Sequence, residues 1–123
     1  MAPKVIAASG ILVIALCAAS SAEVQPVRYS PVDYFKNYAL STCIADGYKA
    51  EDVIRDSAAA ARGYLELGSL RLEAHTEATS LGREFLKRPY QSISGESLTL
   101  MKCIDFYHSK ELDLLARKYG HRR

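Results

Sequence analysis

Between Pro31 and Pro89 the chain contains no proline. Few β-branched residues alternate along that stretch, and apolar residues recur at helical steps instead, so the segment reads as consecutive helices rather than strands. Ser30 can cap the first, Pro31 suits its first position, and Asp33 lies near its positive end. Phe35, Ala39 and Cys43 form one stripe and Leu40, Ile44 and Tyr48 the adjoining one, which carries this helix to about Tyr48. Glu51 and Asp52 open a second helix through Ile54, Ala58, Ala61 and Leu65, with Gly68 expected as a left-handed cap.

Ser69 is expected to cap a third helix, which carries Leu70, Ala74, Ala78, Leu81 and Phe85 inward. Lys87 and Arg88 suit its negative end, and Pro89 stops it. Pro89 to Glu96 is the one substantial irregular stretch. Beyond it, Leu100, Cys103 or Ile104, and Tyr107 mark a fourth helix. Ser109 then caps a fifth, with Leu112, Leu115, Ala116 and Tyr119 inward and Gly120 at the end. The expectation is an all-α fold, a compact bundle of four to five helices.

The chain has 123 residues, of which 49% are hydrophobic and 24% charged, and this balance belongs to one folded domain. Sixteen basic against 14 acidic residues give a net charge of +2, too weak a field for a general nucleic-acid binder. Much of the apolar content lies at the start. Lys4 precedes an apolar run from Val5 to Ala19, and Ser20, Ser21 and Ala22 supply small residues where a signal peptidase cuts. The run is shorter than the roughly 20 residues that span a bilayer. Residues 1–22 are therefore expected to be a signal peptide, 23–29 an extended leader, 30–120 the helical domain and 121–123 a frayed tail, with no stable membrane insertion after cleavage. Cys17 invites a lipoprotein reading, but Leu16 directly before it breaks the small-residue pattern that lipidation requires.

Cleavage would leave two cysteines, Cys43 and Cys103. An even pair in a small exported chain reads as a disulfide, the alternative being two buried free thiols. A nucleophile reading would make Cys43 the thiol and His75 or His108 its base, yet Cys43 lies on an apolar helical stripe and a disulfide would consume it. His75, His108 and His121 lie far apart without a ligand spacing, so no metal is expected, and no glycine-rich phosphate loop or other cofactor motif occurs. Tyrosine is the better lead. There are eight and no tryptophan, and tyrosine favours interfaces. Tyr38, Tyr48, Tyr107 and Tyr119 fit helical stripes, whereas Tyr29, Tyr34 and Tyr90 are less easily explained as core.

Two stretches are more specific. Tyr38-Ala39-Leu40-Ser41-Thr42-Cys43-Ile44-Ala45, followed by Tyr48, is one. Leu100-Met101-Lys102-Cys103-Ile104-Asp105-Phe106-Tyr107-His108-Ser109-Lys110-Glu111-Leu112, ending in Lys118-Tyr119, is the other. Together they resemble the immunity proteins of type VI secretion amidase effectors, in order and spacing over most of the chain beyond the signal. Residues 50 to 97 are only loosely similar.

The resemblance implies a periplasmic, all-helical inhibitor without enzymatic activity. It implies as partner a cognate peptidoglycan amidase of the Cys-His type, and a homodimer that binds two effectors. Blocking a cleft calls for a protruding segment, and Tyr90, Gln91, Ser92, Ile93 and Ser94 are the candidates to enter it, with Tyr90 or Ile93 as the buried anchor. The small-residue face of the second helix, Ser57, Ala58, Ala60, Ala61 and Gly63, is the candidate dimer interface. A rival of another class is a periplasmic acid-stress chaperone, also small, helical and disulfide-stapled.

Overall fold

The computed structural model describes residues 2–15 and 27–120. Cys17, the expected cleavage site and the expected frayed tail lie outside the described residues. Residues 2–15 carry no regular secondary structure, and no described helix is long and apolar enough to cross a membrane. Five helices make up the rest: α1 (Pro31–Gly47), α2 (Glu51–Leu67), α3 (Leu72–Leu86), α4 (Thr99–Tyr107) and α5 (Lys110–Gly120). Among the described residues there is no strand.

The central helix is α1, which packs against all four others. It starts as the sequence dictates: Ser30 Oγ accepts the Asp33 backbone N–H at 3.1 Å and donates to its carboxylate at 2.8 Å, with Pro31 at the first helical position. Its inward stripe, Phe35, Ala39 and Cys43, is buried against Ala74, Ala78 and Phe85 of α3, Cys103 and Phe106 of α4, and Leu112, Leu115 and Ala116 of α5. Leu40 and Ile44 pack against this core from the adjoining stripe. Cys43 and Cys103 are joined in a disulfide, with Cα atoms 5.7 Å apart, which ties α4 to the central helix. The rings of Phe85 and Phe106 meet at 5.2 Å, and the buried Gly82 of α3 lets Phe106 lie close.

Helix α2 is peripheral. It packs mainly on α1, and Ala61 is its one buried residue. At the other end of the chain order, Ser109 caps α5 as expected, its Oγ accepting the Leu112 N–H at 3.1 Å. Lys36 crosses from α1 to α5 and donates to Asp113 at 2.9 Å.

Three local expectations are corrected. Gly68 does end α2, its N–H donating to the Tyr64 carbonyl at 3.0 Å, but with φ −79° it is extended, not left-handed. The cap position of α3 is Arg71, not Ser69, because Leu70 first drops against the core and the helix begins only after it. In α4 the buried face is centred between Cys103 and Phe106, which turns Leu100 and Ile104 outward, both exposed.

Candidate functional site

The segment between α3 and α4 has a held stem and a free tip. At the stem, the Lys102 ammonium donates to the carbonyl of Leu86, the last residue of α3, at 3.1 Å. The same ammonium sits 5.7 Å from the centre of the Tyr90 ring. The Arg88 guanidinium lies over the Phe85 ring at 3.5 Å and pairs with Glu111 of α5 at 3.7 Å. The half-buried Tyr90 donates its hydroxyl to Asp105 of α4 at 2.5 Å. That hydrogen bond raises the Tyr90 phenol above its ordinary value, since losing its proton would put two negative oxygens side by side.

Beyond Tyr90 the chain leaves the helices. Gln91, Ile93, Ser94, Gly95, Glu96 and Ser97 are exposed, and Ile93 is wholly so. The tip is ordered from within. Glu96 Oε2 accepts the Ser92 hydroxyl at 2.6 Å and the Ser94 hydroxyl as well, and Ser92 Oγ accepts the Ser94 N–H at 3.3 Å. These hydroxyl donors, Ser92 first and then Ser94, hold the Glu96 carboxyl below its ordinary range. Gly95 turns the chain with φ +85°, a conformation that glycine adopts without a Cβ clash. Leu98 then enters α4 with φ +53°. Beside the tip, Tyr48, Leu98, Leu100, Met101 and Ile104 line an open apolar cleft of about 700 Å³.

The five residues singled out from the sequence thus fall in two groups. Tyr90 is tied back to α4, while Gln91, Ser92, Ile93 and Ser94 form the projecting part. An exposed aliphatic side chain on an internally braced turn suits insertion into a partner's cleft. Sequence reasoning did not single out Lys102, Asp105, Arg88 or Glu111 as the stem. Lys102 and Asp105 belong to the motif around Cys103, but their partners lie on the far side of an irregular segment.

The other expected sites stand apart from this loop. On α2, Ala61 is covered by its own chain, Ser57, Ala58 and Gly63 are half-buried, and Ala60 is exposed. A Cβ added at Gly63 would meet nothing within 4 Å. Cys43, weighed as a nucleophile, is held in the disulfide. His75, weighed as its base, is sealed in the core with Nδ1 donating to the Arg71 carbonyl at 3.0 Å and its ring edge-on to Phe35 and Tyr38. His108 is exposed beside Tyr107. Tyr29, left over from the core, meets Tyr34 and Tyr64 in an aromatic cluster with ring centres 5.6 and 6.2 Å away.

Comparison with known proteins bears on this arrangement. Residues 33–116 match the family described as type VI secretion system amidase immunity protein. No curated protein matches in sequence. Among solved structures, the chain is similar to one in the Tae4/Tai4 effector–immunity system of Salmonella typhimurium, with 33% identity and a TM-score of 0.74 over 80% of this chain and all of that one. It shares its fold with a chain of the Tae4–Tai4 complex of Enterobacter cloacae, at 21% identity and a TM-score of 0.66 over 75% of this chain and 98% of that one. The same fold recurs in a structure of type VI-secreted toxins and self-resistance proteins from Serratia marcescens, at 22% identity and a TM-score of 0.65, over 80% of this chain and 87% of that one. None of these relatives supports the chaperone reading. With the family matched over residues 33–116 and a 33% identical relative covered along its whole length, the chain belongs to the amidase immunity proteins of the type VI secretion system.

Proposed function

We propose that this chain protects its cell by binding a secreted peptidoglycan amidase of the Tae4 kind and filling its active-site cleft with the projecting tip of the 90–94 segment. Ile93 is the anchor and Gln91, Ser92 and Ser94 supply polar contacts around it. The observation that carries the reading is the wholly exposed Ile93 at the end of a turn that is braced at its base and within itself. An apolar side chain presented in that way is suited to fill a pocket on a partner as the anchor of an interface. The chain acts by occupying a site rather than by catalysis. It does so in the periplasm, where a signal peptide removed after Ala22 would deliver it, and where a disulfide between Cys43 and Cys103 persists. The effector group is supported by the likeness to chains of the Tae4/Tai4 systems. Tae4 of Salmonella typhimurium also forms a complex with the Enterobacter cloacae immunity protein, so effectors of this group are suitable probes across species.

The test is calorimetry with Tae4 of Salmonella typhimurium, and with that of Enterobacter cloacae as a second probe. The native chain should bind, and a variant with residues 90–94 replaced by a Gly/Ser stretch should keep its helical spectrum and lose both binding and inhibition. Undiminished inhibition by that variant, or failure of the native chain to bind either amidase, overturns the reading.

Two copies are proposed to join through α2 into a two-plus-two complex, with Ser57, Ala60 and Gly63 at the contact and Ala61 behind them against α1. Light scattering should then find the native chain dimeric and an Ala60→Arg variant monomeric. A variant that stays dimeric counts against this face.

A further inference from the structure

An exposed six-residue tip would ordinarily bind weakly, because each residue ordered on binding costs conformational entropy that must be overcome first. The tip here meets its partner from a stem fixed at three points, and two of them come from a single stretch of α4. Lys102 holds the end of α3 through the Leu86 carbonyl and faces the Tyr90 ring, while Asp105 holds the Tyr90 hydroxyl. At positions i and i+3 these two side chains share one face of α4. Cys103 between them points to the opposite side and is bonded to Cys43 of the central helix. A short segment therefore has two faces with two tasks: one is bolted to the core and the other carries the loop. Asp105 itself is exposed, so its hydrogen bond to Tyr90 is a surface contact rather than part of the buried core.

We infer that Asp105 and Lys102 are positioning residues, which set the 90–96 loop in its binding shape before the effector arrives. This rests on the reading that the loop enters the amidase cleft. It adds that Tyr90 serves the stem through its hydroxyl, not as a contact to the partner, and that affinity depends on a hydrogen bond lying outside the contact surface.

The experiment uses the full chain and Tae4 of Salmonella typhimurium, with Asp105→Ala, Tyr90→Phe and the double variant compared by Kd, by thermal melting and by amide hydrogen exchange of residues 91–96 in the free protein. Each single variant should bind roughly fivefold more weakly, the size expected for the loss of one hydrogen bond. The double variant should be no weaker than either, because both remove the same bond. Exchange across 91–96 should rise while the melting temperature stays near native, and Asp105→Asn, which keeps an acceptor oxygen, should recover most of the affinity. Native Kd and native exchange in Asp105→Ala, alongside lost binding when residues 90–94 are replaced, overturn the positioning role and leave the cleft reading standing. Weakening by Tyr90→Phe alone, with Asp105→Ala at native affinity, also overturns it and assigns the hydroxyl to the partner. Native binding by the loop replacement overturns the cleft reading and this inference together.

Discussion

The hydroxyl of Tyr119, in the last turn of α5, donates to Oε1 of Glu77 in the middle of α3, and so draws the end of α5 onto the bundle. Lys118 reaches the same carboxylate, at 3.2 and 3.4 Å from its two oxygens. One exposed acid thereby gathers two donors from a neighbouring helix.

Those donors, Tyr119 first and Lys118 second, hold the Glu77 carboxyl below its ordinary value of 4.5. For an acid depressed in the folded state, the stabilisation is present above the unfolded value and lost as the pH falls through the folded one. Melting temperatures of the native chain and of Glu77→Gln should therefore differ at neutral pH and converge as the pH falls through and below the ordinary carboxylate range. A gap that persists unchanged to pH 2 would show that the carboxylate charge is not what joins α5 to α3.

Gly82 is set against Phe106 so closely that a Cβ there would come within 3.0 Å of the ring edge. Alanine would favour the helix by about 1 kcal/mol, but overfilling a packed core costs about 1 to 3 kcal/mol. Phe106 is fully buried against Phe85 and has little room to yield. Gly82→Ala should therefore lower stability in a urea titration despite its better helix propensity.

At Gly63 the balance runs the other way, since a Cβ meets nothing within 4 Å in the isolated chain. Gly63→Ala should raise stability by roughly 0.5 to 1 kcal/mol, chiefly by restricting the unfolded chain. Measured by thermal melting at dilutions that favour the monomer, the gain should appear there. If α2 faces pair at higher concentration, the same methyl should weaken dimerisation.

Removing the disulfide by replacing both Cys43 and Cys103 with alanine should cost about 4 kcal/mol, the loop-closure value for a separation of 60 residues. Denaturant midpoints of the native and double-alanine proteins would read the loss. A midpoint within error of native would place the stability of α4 in Phe106 and its neighbours alone.

The inward stripe of α1 was legible from Phe35, Ala39 and Cys43, because a central helix has a broad buried face and its spacing records it. The caps at Ser30 and Ser109 were legible for a similar reason: each contact is three residues long and wholly local. The start of α3 was not. Ser69 is a better capping residue than Arg71, but the demand to bury Leu70 against the core overrode that preference. In α4 the apolar residues surround much of the helix, so periodicity alone could not choose a face. The bond from Cys103 to α1 chose it, and left Leu100 and Ile104 roughly a quarter turn or more away from the core. The loop was recognisable by its composition, whereas its stem depends on pairs 15 and 16 residues apart, Tyr90 with Asp105 and Leu86 with Lys102, which no local pattern encodes.

The bond between Cys43 and Cys103 also turns the chain between them into a covalent ring, and the exposed tip from Gln91 to Glu96 lies on that ring. A protease that cuts the tip opens the ring without releasing a fragment, so the clipped protein stays one molecule, its new ends still carried by α3 and α4. An exposed turn is open to proteolytic attack, and here a single cut would damage the tip without dismantling the fold that carries it.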